Sequence, residues 1–175
     1  MCSLVPYQIN LKGLASGLTQ FEFSLDDVFF EALDSQEISG GTVHVALTVE
    51  RNDRVFRLDF HSEGTVIVPC DLCLDDMELP ICTDSRLTAK FGDEESEDDE
   101  LVIVPEHSGV LDLSWFIYEQ IALSIPIKHV HPSGECNVAM IEKLQELSAA
   151  PKGDDSDAGE SVIDSRWSAL KDIKI

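Results

Sequence analysis

The stretch Thr42-Val-His-Val-Ala-Leu-Thr-Val-Glu50 decides the fold class, because a large apolar side chain occupies every second position. Alternation with a period of two residues is typical of a β-strand that buries one face. Arg51-Asn52-Asp53 is then predicted to be a turn, and Glu63-Gly64 a second one. Because these connections are short, neighbouring strands are expected to run antiparallel. The pattern predicts strands at residues 42–50, 55–61, 65–68 and 79–91.

Three helices are predicted where a capping residue precedes apolar residues at helical spacing. The first begins at Ser24 or Asp26, the second runs from Asp112 to about Ser124, and the third begins at Asn137. Together the strands and helices predict an α+β fold. Its antiparallel β-sheet is either open or barrel-like, and the later helices lie in the C-terminal part of the chain.

Changes in composition divide the chain into one folded part and several acidic segments. Residues 1–148 are predicted to form a single α+β domain, interrupted near 93–100 by a loop in which seven of eight residues are acidic. Like charges at that density repel one another, so this loop is expected to be mobile. Residues 149–163 are predicted to be an acidic linker, and residues 164–175 a short C-terminal amphipathic segment.

The C-terminal amphipathic segment carries Trp167 and Leu170, which are three residues apart and share one face of a helix. This apolar edge predicts a binding contact with a partner. Docking of the same edge on the chain's own domain is the alternative that the sequence leaves open.

The formal net charge of −22 is the most unusual bulk property of the chain. An anionic surface favours solubility and opposes contact with phosphate backbones. The 12 Lys and Arg residues are scattered, apart from a small group at Arg51, Arg54 and Arg57. The sequence therefore lacks the basic footprint of an RNA-binding protein, and direct contact with RNA stays undecided. A basic protein is the expected partner.

No apolar run in the sequence approaches the roughly 20 residues of a membrane-spanning helix, so no membrane contact is predicted. Residues 1–6 lack a basic region ahead of an apolar stretch and do not resemble a signal peptide. The five cysteines are odd in number and include a C-x-x-C pair, which fits reduced thiols or a metal better than a disulfide scaffold. We therefore expect a cytoplasmic protein.

The pair Cys70-Asp-Leu-Cys73 has the usual spacing of two ligands of one structural zinc ion. Cys136 is the expected third ligand and His131 the expected fourth, with His129 behind it. If the chain from His129 to His131 is extended, the two imidazoles point the same way and both can reach the ion. The alternative is that the cysteines are reduced core residues without a metal.

Catalytic motifs are missing from the sequence, which has no G-x-S-x-G nucleophile elbow and no Gly-rich phosphate loop. A hydrolytic zinc would need an open coordination position and a general base, and no residue stands out as that base. We therefore expect a binding protein rather than an enzyme. The alternatives are a metal-dependent hydrolase or nuclease that uses the Cys/His site, and a structural or redox module.

Four motifs follow one another along the chain, and their order is more specific to a protein family than any one of them alone. They are Val66-Ile-Val-Pro-Cys-Asp-Leu-Cys-Leu74, Val110-Leu-Asp-Leu-Ser-Trp115 continuing to Glu119-Gln-Ile-Ala-Leu-Ser-Ile-Pro126, His131-Pro132 with Cys136, and Asp164-Ser-Arg-Trp-Ser-Ala-Leu-Lys171. In this combination the chain resembles the YceD-like family, the large ribosomal RNA subunit accumulation proteins. The resemblance extends from about Val43 to the end of the sequence.

This resemblance implies a role in producing or accumulating 23S ribosomal RNA, and hence in assembly of the large ribosomal subunit. It also implies association with a large-subunit ribosomal protein or a precursor particle, and no established catalytic activity. Some family members carry a second group of cysteines where this chain has only His129, His131 and Cys136. The expected function is a non-catalytic ribosome-biogenesis factor that binds a basic ribosomal protein.

Overall fold

The computed structural model of the chain describes residues 5–33, 35, 37–92 and 101–147. The predicted acidic loop, the linker and the C-terminal amphipathic segment with Trp167 and Leu170 lie outside the described residues. The strands are β1 (Gln8–Asn10), β2 (Gly17–Leu25), β3 (Gly40–Asn52), β4 (Val55–Pro69), β5 (Asp76–Phe91), β6 (Leu101–Val104) and β7 (Val110–Asp112). The α-helices are α1 (Asp27–Ala32), α2 (Ser114–Ser124) and α3 (Val138–Leu147).

Strands β2 to β6 form one five-stranded sheet in sequence order, and β1 pairs with β7 in a separate two-stranded sheet. The predicted α+β fold is confirmed, and the large sheet is open, with β2 and β6 as its edges. Its strands pair antiparallel as expected, except that β6, whose pairing the sequence does not predict, runs parallel to β5. Leu101, the first residue of β6, lies opposite Thr88, which is three residues before the end of β5. The chain therefore has to return by only a short distance, and the nine residues between the two strands are enough for a parallel pairing.

Strand β4 runs without interruption through Gly64, so the turn predicted at Glu63-Gly64 is wrong. Gly64 has a φ of 157°, and Gly41 on β3 has a φ of 143°. A Cβ atom at Gly64 would lie 2.2 Å from the carbonyl oxygen of Thr42, on the neighbouring strand. Glycine is therefore required because two backbones approach closely, and not because the chain reverses. This continuous strand ends at Pro69, directly before the C-x-x-C motif.

One face of the large sheet packs against α1 and α2 and forms the core. The apolar side chains that alternate along β3 are all buried, as the alternation predicts. Burial of each large side chain stabilises the fold by roughly 1.5–3 kcal/mol. The rings of Phe60 on β4 and Phe116 on α2 have their centres 5.0 Å apart. Other core residues are Phe29, Phe30, Val43, Val45, Leu47, Val49, Phe56, Leu58, Leu87, Ile117 and Ile121.

Residues that the sequence predicts as caps accept hydrogen bonds at the starts of all three helices, although the residue directly before α2 is Leu113 rather than Asp112. The Asp26 carboxylate accepts a hydrogen bond from a backbone N–H of α1 at 3.2 Å, so Asp26 rather than Ser24 is the cap. Asp112 accepts from the Ser114 N–H at 2.9 Å, and the Asn137 side chain accepts from the N–H two residues later at 3.2 Å. These bonds satisfy donors that a helix cannot satisfy by itself.

Helix α3 differs from the other two helices because none of its side chains is buried. Val138, Leu144 and Leu147 are exposed, although they are apolar. Nothing in the hydrophobic core therefore holds this helix in place. In the part of the chain that the structure describes, no helix combines the length and the apolar character that crossing a membrane requires.

Candidate metal centre

The turn that joins β4 to β5 presents both cysteines of the C-x-x-C motif from one side. The Leu74 N–H donates to the Cys70 carbonyl at 2.9 Å and closes the turn. Leu74 has a φ of 62°, in the left-handed region, which lets the chain turn sharply after Cys73. The Leu72 N–H points at the Cys70 sulfur, 3.5 Å away. The backbone thus supplies a donor that favours the thiolate form.

The segment between α2 and α3 is attached to this turn through Asp71, the first residue inside the motif. The Asp71 N–H donates to the His129 carbonyl at 3.0 Å, and the Asp71 carboxylate accepts from the His129 N–H at 2.7 Å. Farther along, the Asn137 amide donates to the Asp75 carboxylate at 3.2 Å. These bonds bring the remaining donors of the segment beside the C-x-x-C turn.

Four donor residues converge there, namely Cys70, Cys73, His131 and Cys136, with their ligand atoms all within 4.8 Å of one another. The sulfurs of Cys70 and Cys136 are 3.9 Å apart, and Nδ1 of His131 lies 3.3 Å from the Cys73 sulfur and 3.9 Å from that of Cys136. In a tetrahedral zinc site, ordinary bond lengths place sulfurs about 3.8 Å apart and sulfur about 3.6 Å from nitrogen. The spacing of the donors therefore fits zinc.

The imidazole of His131 is oriented as a metal ligand requires. Its Nε2 lies 3.3 Å from the carbonyl oxygen of Asp76 at the start of β5. A carbonyl can only accept, so this contact places the ring proton on Nε2 and leaves the lone pair of Nδ1 directed at the sulfurs. An outer hydrogen bond of this kind is the usual way in which proteins fix the orientation of a metal-binding histidine.

The environment of the cluster makes the thiols unequal in acidity. Burial raises the pKa of Cys70, but hydrogen bonds from the backbone of Cys73, His131 and Leu72 outweigh it and lower the pKa to about 6. Burial and the nearness of Cys70 and Cys73 raise the pKa of Cys136 to about 11. The hydrogen bond to Cys70 raises the pKa of His131. One thiolate forms readily, whereas further ionisation needs a cation to offset the accumulated negative charge.

His129 lies outside this group of donors. Its Nδ1 is 3.1 Å from the Pro126 carbonyl oxygen, and its Nε2 is 3.8 Å from the Asp71 carboxylate. An extended chain would place His129 behind His131 with both imidazoles at the ion, as the sequence predicts, but residues 129–131 belong to no strand. The supporting role of Asp71 was not predicted. Its position between the two cysteines was the only signal in the sequence.

About two thirds of the chain matches a known protein family. Residues 58–174 match the family described as large ribosomal RNA subunit accumulation protein YceD. No curated protein and no solved structure matches the chain. The matched range covers the C-x-x-C turn and both of the other donors, and it spans well over half of the 175 residues. The chain therefore belongs to the YceD family.

Proposed function

We propose that this protein is a non-catalytic factor that promotes 23S ribosomal RNA accumulation and assembly of the large ribosomal subunit in the cytoplasm. Membership of the YceD family supports the ribosomal role, since the family is described by large ribosomal RNA subunit accumulation. The protein acts by binding a basic ribosomal protein or a precursor particle. Structural zinc keeps the binding surface in its folded form.

The composition of the donor set is the main evidence that the metal has a structural rather than a catalytic role. Three sulfurs and one imidazole supply four ligands from the protein itself. A structural zinc site is closed in this way, whereas a catalytic site keeps one position open for water or substrate. Among the described residues no carboxylate joins the group as a candidate general base. The hydrolase or nuclease hypothesis therefore has no structural observation in its favour.

The electrostatics of the chain support a basic protein as partner, rather than bare RNA. The net charge is −22, and two of the three arginines in the one small basic group lie beside carboxylates. Arg57 lies 3.2 Å from the Glu50 carboxylate and Arg54 lies 3.9 Å from that of Glu106, while Arg51 donates to the Leu14 carbonyl. Paired arginines offer little net positive charge to a phosphate backbone, whereas an anionic surface attracts a cationic protein.

Sedimentation of the tagged full-length protein tests this function directly. We expect it to travel with precursors of the large subunit, and its depletion to lower the amount of 23S rRNA. Cys73→Ser is expected to weaken the association because it removes a zinc ligand. Cys82→Ser is the matched control, since Cys82 is an exposed cysteine away from the cluster. A protein that stays at the top of the gradient would contradict the proposal.

A redox pair is a second candidate, favoured by one specific observation. The sulfurs of Cys70 and Cys136 are 3.9 Å apart, and the pKa of Cys70 is lowered to about 6. A thiolate with this pKa attacks disulfides readily near neutral pH. Mass spectrometry after mild oxidation distinguishes the two candidates. Formation of a Cys70–Cys136 disulfide in protein that has never bound metal would favour the redox pair.

A further inference from the structure

Two adjoining depressions run along α2 and share Glu37 and Ala122 in their walls. One, of about 440 Å³, extends toward the C-x-x-C turn and includes Leu74 and Ile127. The other, of about 410 Å³, includes Trp115 and Leu123. We call the two depressions together the α2 groove.

Apolar side chains on the α2 groove are exposed to an unusual degree. Ile127 is 103% exposed, Leu123 74%, Leu74 68% and Trp115 60%. Single exposed apolar residues are common, but several on one groove mark an interaction surface. No segment of the described residues covers them.

The charge around the groove restricts what can occupy it. Glu37, Asp71 and Glu119 contribute carboxylates to the lining, and no lysine or arginine of the described residues lines either depression. An occupant must therefore present apolar side chains to the groove together with basic side chains to its rim.

The C-terminal amphipathic segment, residues 164–175, has this composition. It contains three basic and two acidic residues, within a chain that otherwise has many more acidic residues than basic ones. The apolar residues of the segment also recur at a spacing of three, which places them on one face of a helix. Its basic residues are Arg166, Lys171 and Lys174, and its apolar residues on that face are Trp167, Leu170 and Ile173.

The chain between α3 and this segment is long enough for the contact. Nineteen residues lie between Leu147 and Trp167. A flexible chain of that length has an average end-to-end distance of about 25 Å and a maximum near 65 Å. A domain of this size has a radius of gyration of about 14 Å, so the segment can reach any face of it. Tethering also gives the segment an effective concentration in the millimolar range, so even weak contacts suffice.

We propose that residues 164–175 dock in the α2 groove of the same chain. Trp167 and Leu170 insert among its exposed apolar residues, and the basic side chains of the segment face the carboxylates of the rim. The partner that the sequence predicts for Trp167 and Leu170 is thus a surface of the protein itself. The proposal does not depend on the ribosomal role.

Fluorine NMR of the full-length protein labelled with 5-fluorotryptophan tests the docking. The chain has two tryptophans, so Trp115→Phe identifies the resonance of Trp167. We expect the Trp167 resonance to shift little when D₂O replaces H₂O, because a docked indole is shielded from solvent. In Leu123→Arg this protection is expected to be lost, because an arginine repels the basic segment and breaks the apolar surface.

Leu18→Arg is the matched control for that variant. Leu18 is 72% exposed, close to the 74% of Leu123, and it lies on β2 at the opposite end of the sheet from the C-x-x-C turn. We expect it to leave Trp167 protected. Far-ultraviolet circular dichroism verifies that each variant is folded. If Leu123→Arg does not fold, Ile127→Arg serves as a second groove variant.

Three results would overturn the proposal. In the first, Trp167 is fully exposed in the parent protein. In the second, its protection disappears on dilution, which would mean that the groove of a second copy holds it. In the third, Leu144→Arg on α3 releases Trp167 while Leu123→Arg does not, which would place the segment on α3.

Discussion

The sheet core and the region from residue 126 to residue 147 are held by different kinds of interaction. In the core, alternate residues along most of β3 and β4, together with Ile81, Leu87 and Ala89 of β5, are buried. From residue 126 to residue 147, by contrast, no residue is buried. Hydrogen bonds through Asp71 and the convergence of Cys70, Cys73, His131 and Cys136 attach this region. The core is therefore stabilised by apolar burial, whereas for the C-terminal region we propose that a bound ion supplies the missing stabilisation.

The largest expected effect comes from removing a zinc ligand. Structural zinc contributes an apparent free energy of about 10 kcal/mol or more in small domains, and no apolar burial replaces it here. In Cys73→Ser, or after chelation of the parent protein, we expect fast amide hydrogen exchange throughout residues 126–147 and slow exchange in β3 and β4. Unchanged exchange in residues 126–147 would contradict the claim that this region, unlike the core, depends on the ion. Cys82→Ser is the control.

A pair of leucine substitutions compares the two regions directly. Leu58 on β4 is fully buried, so Leu58→Ala is expected to lower the free energy of unfolding by about 2–5 kcal/mol. Leu144 on α3 is 44% exposed, and Leu144→Ala is expected to change the free energy of unfolding by less than about 0.5 kcal/mol. Urea denaturation measures both values. Similar losses in the two variants would show that α3 belongs to the hydrophobic core after all.

The close approach of β3 and β4 predicts a smaller loss for Gly64→Ala. The added Cβ would lie 2.2 Å from the Thr42 carbonyl oxygen and would also oppose the φ of 157°. We expect a loss of about 1–3 kcal/mol, of the size that strained backbone positions cost. Gly13→Ala is the control, because a Cβ there meets no atom within 4 Å. Equal thermal midpoints for the two variants would contradict this account of Gly64.

The smallest effect concerns the start of α2 and its dependence on pH. Burial raises the pKa of Asp112, but hydrogen bonds from Ser114 and Gln8 outweigh it and hold the pKa below its usual range. A depressed pKa stabilises the folded state above the unfolded value of about 3.9, and this contribution is lost as pH falls through the folded value. Asp112→Asn is therefore expected to cost about 1 kcal/mol at neutral pH and progressively less in acid.

Urea denaturation of the parent and Asp112→Asn proteins across the acid range checks this dependence. A difference between the two proteins that grows as the pH falls would have the wrong sign. Chelator should not alter the difference at neutral pH, because the cap belongs to the core region rather than to the metal centre.

The sequence was sufficient to predict features whose signal is local or chemically specific. The alternation from Thr42 predicts β3 and its buried face, and Asp26, Asp112 and Asn137 predict the helix starts. C-x-x-C spacing, with few other candidate donors, was enough to predict the convergence of Cys73 with His131. In each case the type of residue at a given position is enough to predict the structural feature.

The features that were missed depend on contacts between distant segments. Gly64 has the local signature of a turn, and only the neighbouring backbone of β3 shows that glycine is needed for close approach. The parallel pairing of β6 with β5 depends on the route of the intervening chain. The position of His129 depends on its backbone bonds to Asp71, since residues 129–131 form no strand to align the two imidazoles.

Elemental analysis of the full-length protein, purified under reducing conditions without chelator, measures whether an ion joins the C-terminal region to the sheet. We expect one zinc ion per chain in the parent protein and in Cys82→Ser. We expect a large loss of zinc in Cys73→Ser and in His131→Ala. Parent protein without stoichiometric metal, or the same zinc content in all four proteins, would contradict the claim that an ion joins the C-terminal region to the sheet.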